Sequence, residues 1–212
     1  MLLSSPPVTF AALAEIVHLR AAASCPEGPT AIIATTVAFC PAIEVSGNIG
    51  PSNVTLDPAF DLLTRPAQLS RPEIGGNATL AAYNAEGQLL FSLPFSARGT
   101  YRLDVPLGAA AAQSIRRLRV VSGSASAERT AIVHAEPNAE TIATDDRNVV
   151  FAWNAHVFPA VRISTDIDPE TTYAAGAGTY EQLTLATAAR RLSVDFSDGV
   201  RSTKRTFVVF GR

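Results

Sequence analysis

The amino-acid sequence predicts an all-β protein built from two consecutive immunoglobulin/fibronectin-like β-sandwich modules. Three observations carry that expectation. Short β-branched and apolar runs recur from residue 29 onward. Several of them alternate apolar and polar residues, the mark of a strand with one buried and one wet face. Turn residues separate the runs, and no helical pattern intervenes to build a parallel sheet.

Residues 1–28 stand apart. The stretch 8–19 is apolar with helix-like spacing, and Ala21-Ala22-Ala23 resembles a small-residue cleavage site. No basic residue precedes it, however, and Glu15 and His18 interrupt it. A short amphipathic helix, a leader and the remnant of an upstream domain all fit. Strand patterns follow at 30–39, at 43–49 and at Val54–Leu56. Residues 57–76 are rich in Pro, Asp and Arg, and read as a long connection pinned by Phe60, Leu62 and Leu63.

The next hairpin is the clearest local signal. Residues 79–83 run into Asn84-Ala85-Glu86-Gly87. Asn at the first and Gly at the last position suit a type I turn. Leu89, Phe91, Leu93 and Phe95 then alternate as an inward set, as do Tyr101, Leu103, Val105 and Leu107, with Arg102, Asp104 and Pro106 outward. The run 109–112 reads as a helical turn, and 115–121 and 129–134 as strands. A composition shift near 128–136 divides a first module, 29–132, from a second and smaller one, 133–212. Residues 136–147 are polar. Strands are expected at 148–153, 160–165, 182–186, 191–196 and 206–210. Asp198-Gly199 joins the last two as a hairpin turn.

Composition bounds the function. Of 212 residues, 47% are hydrophobic and 17% charged, enough to bury a core. The net charge of -2 gives no electrostatic reason to expect nucleic acid or an anionic membrane as partner. No run reaches the roughly 18–20 apolar residues of a membrane span. The basic residues are arginines save Lys204, which together with the many alanines suggests a GC-rich bacterial genome. Cys25 and Cys40 are too far apart for a C-x-x-C motif. In an exported chain they would form a structural disulfide worth ~3 kcal/mol. In a cytosolic chain they would be two buried thiols.

Two sets of residues carry a resemblance. One is Val150-Phe151-Ala152-Trp153-Asn154-Ala155, Pro159-Ala160-Val161-Arg162 and Ser197-Asp198-Gly199-Val200-Arg201-Ser202. It resembles the C-terminal sandwich module of secreted bacterial zinc-metallopeptidase-like proteins. The other is Val45-Ser46-Gly47-Asn48-Ile49, Leu56-Asp57-Pro58-Ala59-Phe60 and Ala85-Glu86-Gly87-Gln88-Leu89-Leu90, similar to the module that precedes it there. The resemblance covers residues 40–212 and departs at Asn154, where Asp is expected, and at Thr165-Asp166. The peptidase motif His-Glu-x-x-His is absent: His18, His134 and His156 are far apart and none precedes Glu. What the resemblance implies is an accessory role.

Individual sites point the same way. Ser122-Gly123-Ser124 lacks a nucleophile elbow. Asp166 and Asp168 with Glu170 place three carboxylates on one loop, a candidate calcium site or a solvated acidic loop. Trp153, in an apolar strand, reads as a core residue. Tyr173 and Tyr180 flank a Gly-rich loop and are the candidate ligand contacts. Arg116, Arg117, Arg119, Arg190 and Arg191 read as guards of sheet edges. The sequence therefore leads to a non-enzymatic, exported or cell-envelope accessory pair recognising a protein domain or surface polymer. A structural spacer is the alternative, and a hydrolase with an unrecognised site the third reading.

Overall fold

The computed structural model describes residues 40–64, 68–107, 114–132, 139–143, 148–165, 170–174, 180–186 and 190–209. Residues 1–28, the run 30–39 and the stretch 109–112 lie outside them. The fold is all-β, in antiparallel sheets.

The first part holds β1 (Cys40–Ile49), β2 (Val54–Leu56), β3 (Phe60–Thr64), β4 (Ala78–Tyr83), β5 (Leu89–Phe95), β6 (Gly99–Pro106), β7 (Arg117–Ser122) and β8 (Ala125–Thr130). In one sheet β1 pairs with β6 on one side and with β2 and β3 in succession along the other. The second sheet runs β5-β4-β7-β8. Ile43, Val45, Leu103 and Val105 from the first sheet meet Leu80, Leu93, Leu118 and Val120 from the second. The second part holds β9 (Ala139–Ala143), β10 (Asn148–Asn154), β11 (Ala160–Thr165), β12 (Thr171–Ala174), β13 (Tyr180–Ala186), β14 (Arg191–Ser197) and β15 (Ser202–Val208). Its sheets run β13-β10-β9 and β12-β11-β14-β15. Phe151 sits at the centre of this core, with its ring 5.9 Å from Trp153, 6.1 Å from Phe196 and 5.7 Å from Phe207. Trp153 is fully buried, and its indole N–H donates to the Phe158 carbonyl at 2.9 Å. A buried indole without such an acceptor would carry a desolvation penalty.

Several elements differ from the sequence expectation. The stretch 57–76 contains β3, whose five residues pair with the first half of β1 from Glu44↔Phe60 to Cys40↔Thr64. Its Asp61 and exposed Leu63 hide the pattern, because β3 flanks the module's partner instead of lying in mid-sheet. β8 begins four residues earlier than expected. Ser122 pairs with Ala125, leaving Gly123-Ser124 as a two-residue turn with Gly123 at φ +58. That is type II′, whose first central position favours Gly. β9 lies in the stretch 136–147, read as polar, and β12 lies where no strand was expected, beside the Gly-rich loop. They are edge strands, held by backbone pairing to β10 and β11, and need little apolar sequence. Pro106 is buried and Leu89 exposed, the reverse of the alternation expected at those two strand ends.

One glycine is required by packing. A Cβ on Gly47 would collide with the Thr55 carbonyl oxygen and the Tyr101 hydroxyl. That hydroxyl donates to the same carbonyl at 2.9 Å. Burial pushes the Tyr101 pKa well above the usual phenol value, and the nearby Asp57 charge adds to the rise. Gly47→Ala is expected to cost about 2 kcal/mol through overpacking, read as a lower urea midpoint with unchanged slope.

Candidate functional site at the junction of the two modules

On β1, Ile43 and Val45 point into the first core. Their neighbours Ala42 and Glu44 point the other way, yet both are buried. The sheet β12-β11-β14-β15 lies against that outer face. Arg162 on β11, between the core residues Val161 and Ile163, reaches across. Its Nη2 meets Glu44 Oε1 at 2.8 Å and its Nε meets Glu170 Oε1 at 3.1 Å. The guanidinium stacks over the Phe60 ring, 4.2 Å from its centroid. The second carboxylate oxygen of Glu44 is held by Arg102 at 2.8 Å. Both oxygens of the buried carboxylate are thus paired, as burial of a charge demands.

The other half of the junction is the turn between β14 and β15. Ser197 pairs with Ser202, so four residues turn instead of the two expected from Asp-Gly. Asp198 organises them: its Oδ1 accepts from the backbone N–H of Val200 at 2.9 Å and of Arg201 at 2.8 Å. Gly199 takes φ +103. The turn is no solvent tip. Val200 is completely buried and belongs to the first module's core. Ser197 Oγ donates to the Ala59 carbonyl at 2.6 Å, and Ala59 N–H donates to the Gly199 carbonyl at 3.2 Å. Ile132 N–H donates to the Asp198 carbonyl at 3.3 Å. Arg201 clamps Asp61 with two bonds of 2.6 and 2.7 Å, the fork geometry that only arginine supplies.

Asp195 on β14 lies between these halves, with Lys204 Nζ at 3.6 Å. Burial raises its pKa. The Lys204 and Arg162 charges pull it down, and Asp61 pushes it up. A carboxyl with a raised folded pKa disfavours the ionised state. Its contribution is favourable below the unfolded carboxyl pKa of about 3.9 and is lost as pH rises through the folded pKa. Asp195→Asn is therefore expected to raise the melting temperature at pH 8, with the gain shrinking towards pH 4. Thermal scans at the two pH values check it.

A polar cleft of about 360 Å³ remains between the modules, lined by Glu44, Thr64, Arg102, Asp104, Arg162 and Asp195 among others. Beside it lies a groove of about 490 Å³ bordered by Pro41, Leu62, Leu63, Leu107, Ser202 and Lys204. Among the described residues, no three His, Cys, Asp or Glu side chains gather to hold a metal ion.

Of the site residues singled out in the sequence, Glu170 meets this junction. Tyr173 is on β12 opposite Val161, and Tyr180 is on β13 opposite Asn154, so they sit in different sheets. The loop between them lies outside the described residues, as do Asp166 and Asp168. Glu170 is exposed and faces Arg162. Cys40 is buried at the start of β1, and Cys25 lies outside the described residues. His156 is exposed, and its backbone N–H caps onto Asn154 Oδ1 at 3.0 Å. β7 and β14 are interior strands, so Arg117, Arg119 and Arg191 guard no edge. Arg117 instead lies over the Tyr83 ring at 4.4 Å. Sequence reasoning missed Glu44, Asp61, Arg162 and Arg201. A signal existed for Arg162, a lone charge inside Ala160-Val161-Arg162-Ile163. No family model and no curated protein matches the chain.

Proposed function

We propose that the chain is a non-catalytic accessory pair of an exported bacterial protein, two modules locked into one rigid body that recognises a protein domain or surface polymer. The observation that carries this reading is the junction. A plug residue, a buried ion pair and a bidentate clamp fix one module on the other, so a surface spanning both is held in constant shape. Such preorganisation lowers the ordering cost of binding. Supporting it, the charged groups of the cleft pair with one another. Ser197 Oγ donates to the Ala59 carbonyl and accepts from the Gly199 N–H, so it is engaged in holding the junction. Likeness to accessory modules of zinc-metallopeptidase-like proteins, and a Cys25–Cys40 disulfide fitting an exported chain, belong to the same reading.

The same rigidity suits a spacer packing against another domain, which is the second reading. The test is retention of purified chain on glycan arrays and on immobilised cell-envelope proteins, with and without calcium. Saturable retention of one glycan or protein class supports recognition. Its absence across both supports the spacer. Turnover of ester, peptide or glycoside substrates, abolished by a single substitution, would contradict both.

A further inference from the structure

We propose that Asn53 is the acceptor of an N-linked glycan, transferred to it from a sugar activated as a diphosphate. The inference does not depend on what the module pair recognises. Two Asn-x-Thr triplets occur in the chain, Asn53-Val54-Thr55 and Asn77-Ala78-Thr79. Such a triplet carries little weight until its surroundings are known, because the acceptor must lie on an accessible surface segment. The fold treats the two triplets differently. Asn53 closes the turn between β1 and β2, where Gly50 N–H donates to its carbonyl at 2.9 Å. Pro51, Ser52 and Asn53 are all exposed. The Asn53 side chain folds back over Gly50, on which a Cβ would collide with Oδ1. Among the described residues the Asn53 carboxamide makes no hydrogen bond, so its Nδ2 is open to reaction. Thr55 is exposed, and its Oγ1 accepts from Asn48 N–H at 2.9 Å while keeping its own proton to donate. β2 is three residues long and, among the described residues, pairs with β1 alone.

Asn77 is exposed too, but its carboxamide is engaged. Its Nδ2 donates to the Ala97 carbonyl at 2.8 Å, and its Oδ1 accepts from the Ala97 N–H at 2.9 Å. Ala78 is buried, and Thr79 lies on β4, an interior strand between β5 and β7. A transferase reading this triplet would have to break the carboxamide pair and detach a central strand. At Asn53 it meets a turn and a short strand at the module's end, the kind of segment on which modification concentrates. In the transfer a bond forms between Asn53 Nδ2 and the anomeric carbon of the sugar. The bond from that carbon to the diphosphate oxygen breaks, the diphosphate leaves with the electron pair, and Nδ2 loses one proton. The turn lies beyond Ile49, about 16 Å along β1 from Glu44 at the rise of a strand. A glycan there leaves the junction uncovered.

The test incubates the purified, folded chain with transferases that require only the Asn-x-Thr triplet. One arm pairs an oligosaccharyltransferase with a polyprenyl-diphosphate oligosaccharide. The other pairs a soluble N-glycosyltransferase with UDP-glucose. Peptide mass spectrometry reads occupancy at each asparagine. Glycan at Asn53 and none at Asn77 is expected in at least one arm, and the arm that works identifies the donor. Asn53→Gln and Thr55→Val should each abolish the modification, whereas Thr55→Ser should retain it. All three changes are at exposed positions, and unchanged Trp153 fluorescence checks that each variant is folded. Synthetic peptides carrying the two triplets should both be modified, which would place the selection in the fold. No glycan at Asn53 in either arm, or Asn77 modified as readily as Asn53 in the folded chain, would overturn the proposal.

Discussion

Val200→Asp is expected to destabilise the chain by about 4 kcal/mol, the largest effect of any single substitution considered. Val200 is completely buried in the first module's core although it belongs to a turn of the second. A carboxylate there would have no partner, and burying an unpaired charge is among the costliest single changes. The stability of a domain is of the order of 5–15 kcal/mol, so this loss is a large share of it. The expected phenotype is specific. The plug would leave its pocket, the Asp61–Arg201 clamp would lose its support, and the modules would melt separately. Val200→Leu, which keeps the pocket apolar, should lose no more than about 2 kcal/mol and retain one transition. Calorimetry distinguishes one endotherm from two.

Arg162→Ala comes second, at about 3 kcal/mol. Breaking a buried pair from one side leaves the other charge uncompensated, which typically costs 3–5 kcal/mol. Glu44 keeps Arg102, so the low end of that range applies. Part of the loss is the stacking of the guanidinium on Phe60. Replacing both partners, Glu44→Leu with Arg162→Met, should recover most of the loss, because two apolar side chains of similar volume need no desolvation of charge. Urea titration of the two single variants and the double variant measures the coupling directly. Added salt should change the wild-type value little, since side chains only 10% exposed are weakly screened.

How much was legible beforehand follows from which signal each element carries. Strands with one wet face announce themselves by alternation, as with Leu103 and Val105 around Asp104. The hairpin at Asn84–Gly87 was readable because its turn needs particular residues: Gly87 takes φ +77, and Asn84 Oδ1 accepts from Gln88 N–H at 2.8 Å. The type II′ turn at Gly123-Ser124 was equally readable from its glycine, but the strand after it was expected to begin only at residue 129. Edge strands β9 and β12 are five and four residues long, each with one large apolar residue, Ile142 and Tyr173, too short a pattern to show alternation. The junction was the least legible part. Glu44 and Asp61 occupy positions that alternation marks as outward, and only contact between modules makes the outward face an interior. Asp198-Gly199 signalled a turn correctly, but no local rule says that the residue after it is the plug for a core formed a hundred residues earlier. The resemblance had picked out that same Ser-Asp-Gly-Val-Arg-Ser stretch, and the contacts supply a physical reason for its composition: a hydroxyl, a capping carboxylate, a left-handed glycine, a plug and a clamp in succession.

The contacts at the junction require the two modules to unfold as one cooperative body. Trp153, the sole tryptophan, lies in the second core and reports that module alone. Far-ultraviolet circular dichroism reports the strands of both. A urea titration of the wild-type chain followed by both signals should give superimposable curves with one midpoint and one slope. A tryptophan transition separated from the dichroism transition would mean that the modules unfold independently, and the junction would then be a contact without the coupling ascribed to it.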